Sequence, residues 1–77
     1  MGISFKKKQM TIKFQLNGTE YLLNRVINIS ELLLFLSLNK DNIALEYNTT
    51  LILKKDYSSI YIEESDKLEI VSIVGGG

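Results

Sequence analysis

The sequence predicts a two-layer α+β fold in which a mixed sheet of four to five strands packs against one helix. Segments with alternating apolar residues, the period of a half-buried strand, lie on both sides of a single run with helical periodicity. The chain has 77 residues, which suffices for one core and not for two. A hydrophobic fraction of 45% lets that core form without metal or disulfide cross-links.

The first predicted element is a β-hairpin. Apolar and polar residues alternate from Met10 to Leu16, so the fold is expected to begin near Met10. Asn17 and Gly18 follow, and this dipeptide is a strong hairpin signal because both residues tolerate positive φ. The second strand returns over residues 20–23.

A single amphipathic helix comes next. Asn28 suits an N-cap, and Glu31 at the third helical position can complete a capping box. One face carries apolar residues at i, i+3, i+4 and i+7 spacing, namely Ile29, Leu32, Leu33 and Leu36. Further apolar residues widen this stripe, namely Leu34, Phe35 and Leu38. We interpret the width as a helix sunk deep over the sheet; the alternative is a partner-binding edge.

The middle of the chain predicts two more strands. Residues 43–47 alternate as a third strand. Residues 48–50 predict a turn into a short strand over residues 51–53. Residues 54–62 are polar with spaced apolar anchors, which indicates an irregular crossing segment that includes about one helical turn.

The last predicted strand covers residues 68–74. Because the first and last strands both alternate, we expect them to lie side by side in the centre, with their hairpin partners outside. The β-grasp arrangement satisfies this pattern at this length. The chain therefore divides into a disordered extension over residues 1–9, a β-grasp domain over residues 10–74 and a flexible glycine tail over residues 75–77.

The composition excludes most side-chain chemistry. Cysteine and histidine are both absent, which removes disulfides, the usual zinc ligands, a thiol nucleophile and an imidazole base. No metal site is expected. Nine basic residues balance nine acidic ones, so there is no electrostatic reason to bind nucleic acid or an anionic membrane. Any reaction must use a Ser, Tyr, Lys or carboxylate side chain, or the backbone terminus.

The C-terminal tail offers one such group. Glycine has no Cβ, so Gly75, Gly76 and Gly77 after Val74 can form a narrow, flexible extension that fits another protein's cleft. Its reactive group is the α-carboxylate of Gly77, which must be activated, for example as an acyl-adenylate, by a separate enzyme with ATP. The alternative is a cloning remnant. The absence of a tag sequence and of any spacer after the strand argues against it.

From Met10 to Gly77 the chain resembles the ThiS family of thiamine-biosynthesis sulfur carriers, which have a ubiquitin-like β-grasp fold. The matching segments are residues 12–18, 29–33, 43–49 and, most specifically, 65–77. Ser65 stands where the family usually has glycine, which puts the geometry of that turn in question. Leu53 stands where proline is common, which blurs the short fourth strand.

The resemblance implies a mechanism in which a ThiF/E1-like adenylyltransferase activates Gly77 with ATP. Sulfur from a donor of the cysteine desulfurase type then replaces AMP and leaves a thiocarboxylate. Thiazole synthase accepts the tail and takes the sulfur. Gly77 carries the sulfur, while Val74, Gly75 and Gly76 insert into the partners' active sites. The chain is then a co-substrate and not an enzyme, binds no cofactor itself and is monomeric when free.

The alternation of the last strand adds two candidate docking residues. Leu68 and Ile70 are expected to point to the helix, which leaves Val71 and Ile73 on the outer sheet face beside the tail. These two residues are candidates for contact with the activating enzyme and the synthase. The alternative is that they are present only because of their high β propensity.

Three other functions remain open from the sequence. They are the small subunit of molybdopterin synthase, a ubiquitin-like modifier that passes its activated carboxyl to a lysine, and an interaction domain with an inert tail. The frequent Lys, Ile and Asn indicate coding in an AT-rich genome. The expected location is accordingly the bacterial cytoplasm or the stroma of a plastid.

Overall fold

The computed structural model describes residues 11–73, and within that range five strands form one mixed sheet in the order β2-β1-β5-β3-β4. The strands are β1 (Ile12–Leu16), β2 (Thr19–Leu23), β3 (Ile43–Tyr47), β4 (Thr50–Ile52) and β5 (Lys67–Ser72). β1 and β5 are parallel neighbours, and the other neighbouring pairs are antiparallel. The predicted β-grasp arrangement, with the first and last strands adjacent, is confirmed. The proposed boundaries after residues 9 and 74 lie outside the described residues.

The first hairpin forms because its turn residues accept the backbone geometry that a tight connection needs. Asn17 and Gly18 have φ of 50° and 80°. Positive φ at both central residues is the requirement of a two-residue type I′ turn, whose twist matches that of the flanking strands. The turn sets the register, in which Leu16 lies opposite Thr19.

The helix α1 (Ile29–Phe35) begins as predicted. The Oδ1 atom of Asn28 accepts the N–H of Glu31 at 2.8 Å, and Oε1 of Glu31 accepts the N–H of Asn28 at 2.9 Å. Each bond satisfies an amide that has no partner inside the helix, so the capping box is complete.

The helix ends at Phe35, three residues before the apolar run does. Ser37 has φ of 60°, its N–H donates to the carbonyl of Leu34, and the N–H of Leu38 donates to the carbonyl of Leu33. This pair of bonds is a Schellman motif, which satisfies the last carbonyls and turns the chain away.

The prediction of a deeply sunk helix is wrong for Leu34 and Phe35, and Leu38, which follows the helix, is exposed as well. Leu34 is 78% exposed and Phe35 is 81% exposed. At 3.6 residues per turn both lie opposite the face that carries Ile29 and Leu33, and the sheet covers only that face. Phe35 instead lines a groove of about 580 Å³ beside Leu22, Leu23 and Ile27. The exposure of Leu34 and Phe35 is consistent with the alternative interpretation, a partner-binding edge of the helix.

The core lies between the inner face of the sheet and α1. Its innermost residues, with relative exposures of 0%, are Ile29, Leu45 and Leu68. Two short 3₁₀ turns complete the domain, Lys40–Asn42 and Lys54–Ser59. The second turn confirms the helical turn predicted in the crossing segment, and it buries Tyr57 under the helix. The strands β1, β3 and β5 thus present alternate residues to one continuous core.

Candidate functional site

β5 is the central strand of the sheet and leads toward the C-terminus of the chain. Its inward residues are buried, with Leu68 0% and Ile70 9% exposed. Its outward residue Val71 is 58% exposed, and Ile73, which follows the strand, is 51% exposed. The predicted division between inner and outer faces is therefore confirmed. Whether Val71 and Ile73 contact a partner is a separate matter that stays a prediction.

The end of β5 is held on the side of β3. Antiparallel pairing with β3 runs from Leu68, opposite Tyr47, to Ser72, opposite Ile43. The N–H of Ile73 then donates to the carbonyl of Asn42 at 2.8 Å. On this side the backbone is fixed up to the last residue that the structure describes.

The outer-face patch consists of the apolar residues Ala44, Leu51, Val71 and Ile73. Directly opposite residues of an antiparallel pair project from the same sheet face. Val71 lies opposite Ala44, and Leu51 lies opposite Glu46, which is two residues from Ala44 on β3 and therefore on the same face. Leu51 is 63% exposed. The patch thus includes Ile73, the last described residue of the chain, and it borders the exposed acidic residues Glu46 and Glu69, which lie opposite each other on β3 and β5.

The start of β5 is fixed by a buried carboxylate. Asp66 is 7% exposed, and it accepts hydrogen bonds from Tyr47 Oη at 2.5 Å, from Asn48 Nδ2 at 3.0 Å and from the N–H of Glu63 at 2.7 Å. Burial, together with the hydrogen bond to Asp66 and its negative charge, raises the pKa of Tyr47 well above the usual value. The phenol therefore remains a donor to Asp66 at neutral pH.

The turn before Asp66 has the geometry that glycine adopts most easily. Ser65 has φ of 71°, in the left-handed region, and its N–H donates to the carbonyl of Lys13 at 2.7 Å. The bond joins the turn to β1. The serine thus adopts a conformation that a glycine at this position would reach without a steric penalty.

Two asparagine side chains contact β5, and neither contact was predicted. Asn17 bonds to both backbone groups of Ile70, and Asn48 bonds to the N–H of Lys67. Asparagine at a hairpin turn is a local signal for positive φ. A side-chain contact with a residue 53 positions away has no local signal in the sequence.

The residue predicted to carry sulfur, Gly77, and the residues predicted to insert into partners, Val74, Gly75 and Gly76, lie outside the described residues, as does the extension over residues 1–9. Among residues 11–73, no three side chains of the His, Cys, Asp or Glu type are grouped so that they could hold a metal ion. In the same range no helix has the length and hydrophobicity to cross a membrane.

Residues 9–77 match the model of the ThiS family. The crystal structure of a thiamine biosynthesis protein, ThiS from Geobacter metallireducens, superposes with a TM-score of 0.74, covering 86% of this chain and all of that one at 20% identity. At that identity the superposition shows a common fold.

Proteins with similar sequences fall into two groups. The uncharacterized protein ycf40 of Trieres chinensis is 44% identical over 64 residues, which are 83% of this chain and 88% of the relative. A thiazole synthase of Paramagnetospirillum magneticum is 32% identical over 66 residues, which are 86% of this chain and 20% of that protein. The second match thus covers only one segment of a longer protein.

Proposed function

Because this chain belongs to the ThiS family, we propose that it is a sulfur carrier of thiamine biosynthesis that bears its sulfur on the Gly77 carboxyl group. The observation that carries the proposal is the extent of the family match. The match runs to residue 77, so the glycine tail belongs to the matched region and is not an addition to it.

The proposed reaction begins with attack of the Gly77 carboxylate on the α-phosphorus of ATP, which forms an acyl-adenylate and releases pyrophosphate. A ThiF/E1-like adenylyltransferase supplies the site for this step, and the chain itself holds no cofactor. The outer sulfur of a persulfide on a donor of the cysteine desulfurase type then attacks the acyl carbon, and AMP leaves. A thiol cleaves the resulting acyl disulfide, and the donor sulfur ends in a mixed disulfide with that thiol. The product is a terminal thiocarboxylate. The chain acts in this scheme as a co-substrate and not as an enzyme.

We propose thiazole synthase as the acceptor of that sulfur. A protein named thiazole synthase contains a segment 32% identical to this chain, and this segment accounts for 20% of its length. A second protein of that name, from Magnetococcus marinus, is 27% identical over 66 residues, again 20% of its length. The presence of a carrier-like segment in the same polypeptide as a thiazole synthase supports a working relationship between the two.

The outer-face patch is the proposed docking surface for the adenylyltransferase and the synthase. Val71 belongs to β5 and Ile73 follows that strand directly, and both side chains are more than half exposed. Covering exposed apolar side chains with a partner removes them from water and lowers the free energy of the complex. Contact at this patch would place a partner next to Ile73, four residues before Gly77.

The experiment is a reconstitution with ATP, a ThiF/E1-like adenylyltransferase and a sulfur donor. Pyrophosphate exchange that depends on the carrier is expected, followed by a gain in intact mass equal to the exchange of one oxygen for one sulfur. A chain lacking Gly75, Gly76 and Gly77 is the control and should show neither. An unchanged mass for the full chain, with an enzyme that is active on its own carrier, would count against the proposal.

The same reagents distinguish the related functions. Binding of the thiocarboxylated chain to thiazole synthase supports the thiamine route. Binding to a large subunit of molybdopterin synthase instead, or transfer of the carboxyl to lysines of other proteins, would assign one of the alternatives. We further propose the bacterial cytoplasm or the plastid stroma as the location, which fractionation with an antibody to the chain tests.

A further inference from the structure

Asn17 contacts β5 with its side chain at the point where β1 has ended. Its Oδ1 atom accepts the N–H of Ile70 at 2.7 Å, and its Nδ2 atom donates to the carbonyl of Ile70 at 3.0 Å. A carboxamide carries the same donor and acceptor as a peptide group. The side chain therefore takes the place of a peptide group in a neighbouring strand.

This contact extends a short strand pairing. The backbone register between β1 and β5 comprises Gln15 with Lys67 and Leu16 with Leu68. The N–H of Asn17 adds a bond to the carbonyl of Leu68 at 2.9 Å. The chain then turns into β2, because Asn17 and the residue after it have positive φ.

The two sides of β5 are consequently held over different lengths. Pairing with β3 and the bond to Asn42 hold the strand as far as Ile73. On the side of β1, the bonds of Asn17 to Ile70 are the last hydrogen bonds to β5 among residues 11–73. Without the Asn17 amide, residues 70–73 would be held from one side only.

We propose that Asn17 is a positioning residue for the C-terminal tail, a role that rests on the proposed function. By bonding both backbone groups of Ile70, it fixes the segment that carries Val71, Ile73 and the root of the tail. An enzyme that binds this segment must otherwise order it, and the lost freedom weakens binding. The weaker binding raises the KM for the carrier. It leaves kcat unchanged, because the enzyme's own cleft sets the geometry of the terminal carboxylate once the carrier is bound.

The chain provides a matched control in Asn48. This residue also lies in a hairpin turn, with φ of 51° against 50° for Asn17. Its side chain also bonds β5, but at the start of the strand, through the N–H of Lys67 at 2.8 Å and the carboxylate of Asp66 at 3.0 Å. Glycine accepts positive φ, so Asn17→Gly and Asn48→Gly both keep their turns and lose only the side-chain bonds.

The experiment measures carrier-dependent pyrophosphate exchange by a ThiF/E1-like adenylyltransferase, with the carrier as the varied substrate. Asn17→Gly should raise the KM for the carrier about tenfold with kcat near the wild-type value, and Asn48→Gly should change KM by less than about twofold. Equal KM values for the two variants would overturn the proposal.

Amide hydrogen exchange provides a readout that needs no enzyme. The amides of Val71 and Ile73 should exchange about tenfold faster in Asn17→Gly than in Asn48→Gly. Equal rates would overturn the proposal. If the wild-type chain is not adenylated, the proposed function fails, and the exchange rates still decide whether Asn17 holds the segment.

A second substitution covers the case in which Asn17→Gly does not fold. Asn17→Asp tolerates positive φ and keeps an acceptor for the N–H of Ile70, but it has no donor for the carbonyl. A KM between those of the wild type and Asn17→Gly, or a raised KM where the glycine variant does not fold, supports the proposal. A wild-type KM would contradict it.

Discussion

The hydroxyl of Tyr47 donates a hydrogen bond to the carboxylate of Asp66 across 2.5 Å, and this pair joins the end of β3 to the start of β5. Asp66 also accepts from Asn48 and from the backbone of Glu63, so the buried carboxylate is stabilised by uncharged donors from two separate segments. Within the described residues, no buried side-chain polar atom lacks a hydrogen-bond partner. The strand that leads to the tail therefore begins at a fully satisfied polar cluster.

Replacement of Tyr47 by Phe should lower the free energy of unfolding by about 1.5–3 kcal/mol, the range for hydrogen bonds to charged groups. The ring remains, but a buried carboxylate loses one of its donors. Urea unfolding at neutral pH measures the change. A loss below about 0.5 kcal/mol would show that the bond contributes little.

The stability should also fall at alkaline pH because of tyrosine. Burial and the charge of Asp66 raise the pKa of Tyr47, and burial raises that of Tyr57. The unfolded chain thus loses these protons first, so their stabilising contribution is full below about pH 10 and declines as pH rises toward the folded pKa. Urea midpoints from about pH 8 to about pH 11 should fall less steeply for Tyr47→Phe than for wild type. Equal slopes would contradict this assignment.

Two leucines in neighbouring strands test the core. Leu45 on β3 is 0% exposed and Leu51 on β4 is 63% exposed. Leu45→Ala leaves a cavity and should cost about 2–5 kcal/mol of unfolding free energy, while Leu51→Ala should change it by less than about 0.5 kcal/mol. Denaturant unfolding of both variants makes the comparison. Similar losses at the two positions would contradict the described sheet faces.

The capping box of α1 should be a measurable source of stability. Asn28→Ala removes the acceptor for the N–H of Glu31, and we expect a loss of about 1 kcal/mol. Glu31→Gln keeps an acceptor for the N–H of Asn28 and should cost less. Thermal or urea unfolding measures both. A larger loss from Glu31→Gln would mean that charge, and not the hydrogen bond, stabilises this end.

A charged substitution tests whether the outer-face patch is a docking surface. Val71→Lys should fold normally and lose carrier-dependent adenylation, because a desolvated ammonium group opposes an apolar contact. Leu22→Lys is the control, since Leu22 is also exposed, at 64%, and lies on the outer sheet face opposite Lys13 on β1. Pyrophosphate exchange reads out both. Normal exchange by Val71→Lys, or equal losses in the two variants, would remove the patch from the proposed docking surface.

The local parts of the fold and the adjacency of the first and last strands could be predicted from the sequence, and the individual long-range side-chain contacts could not. The turn at Asn17 and the cap at Asn28 follow from conformational preferences that act over a few residues. The exposure of Phe35 depends on where the sheet lies, and the apolar pattern of the helix does not contain that information. The contact of Asn17 with Ile70 joins residues 53 positions apart, so only the assembled sheet reveals it.

The candidate site also has features that the sequence predicts and features that it does not. The inward and outward faces of β5 were predicted, because alternation is a property of the strand itself. The burial of Asp66 was not, since a Ser-Asp pair in a sequence indicates a turn and says nothing of the donors that surround it. The assignment of Gly77 comes from the resemblance and is tested only by chemistry at the terminus.

Thiol-reactive labelling of the reconstituted chain tests that assignment most directly, because the sequence contains no cysteine. After incubation with ATP, the adenylyltransferase and the sulfur donor, an alkylating reagent should add once, and tandem mass spectrometry should place the adduct on Gly77. Oxidation of either of the two methionines adds no alkyl group and is thereby distinguished. An alkylated Gly77 is the predicted result. A chain that remains unlabelled under conditions in which another ThiS-family carrier is labelled would contradict the account.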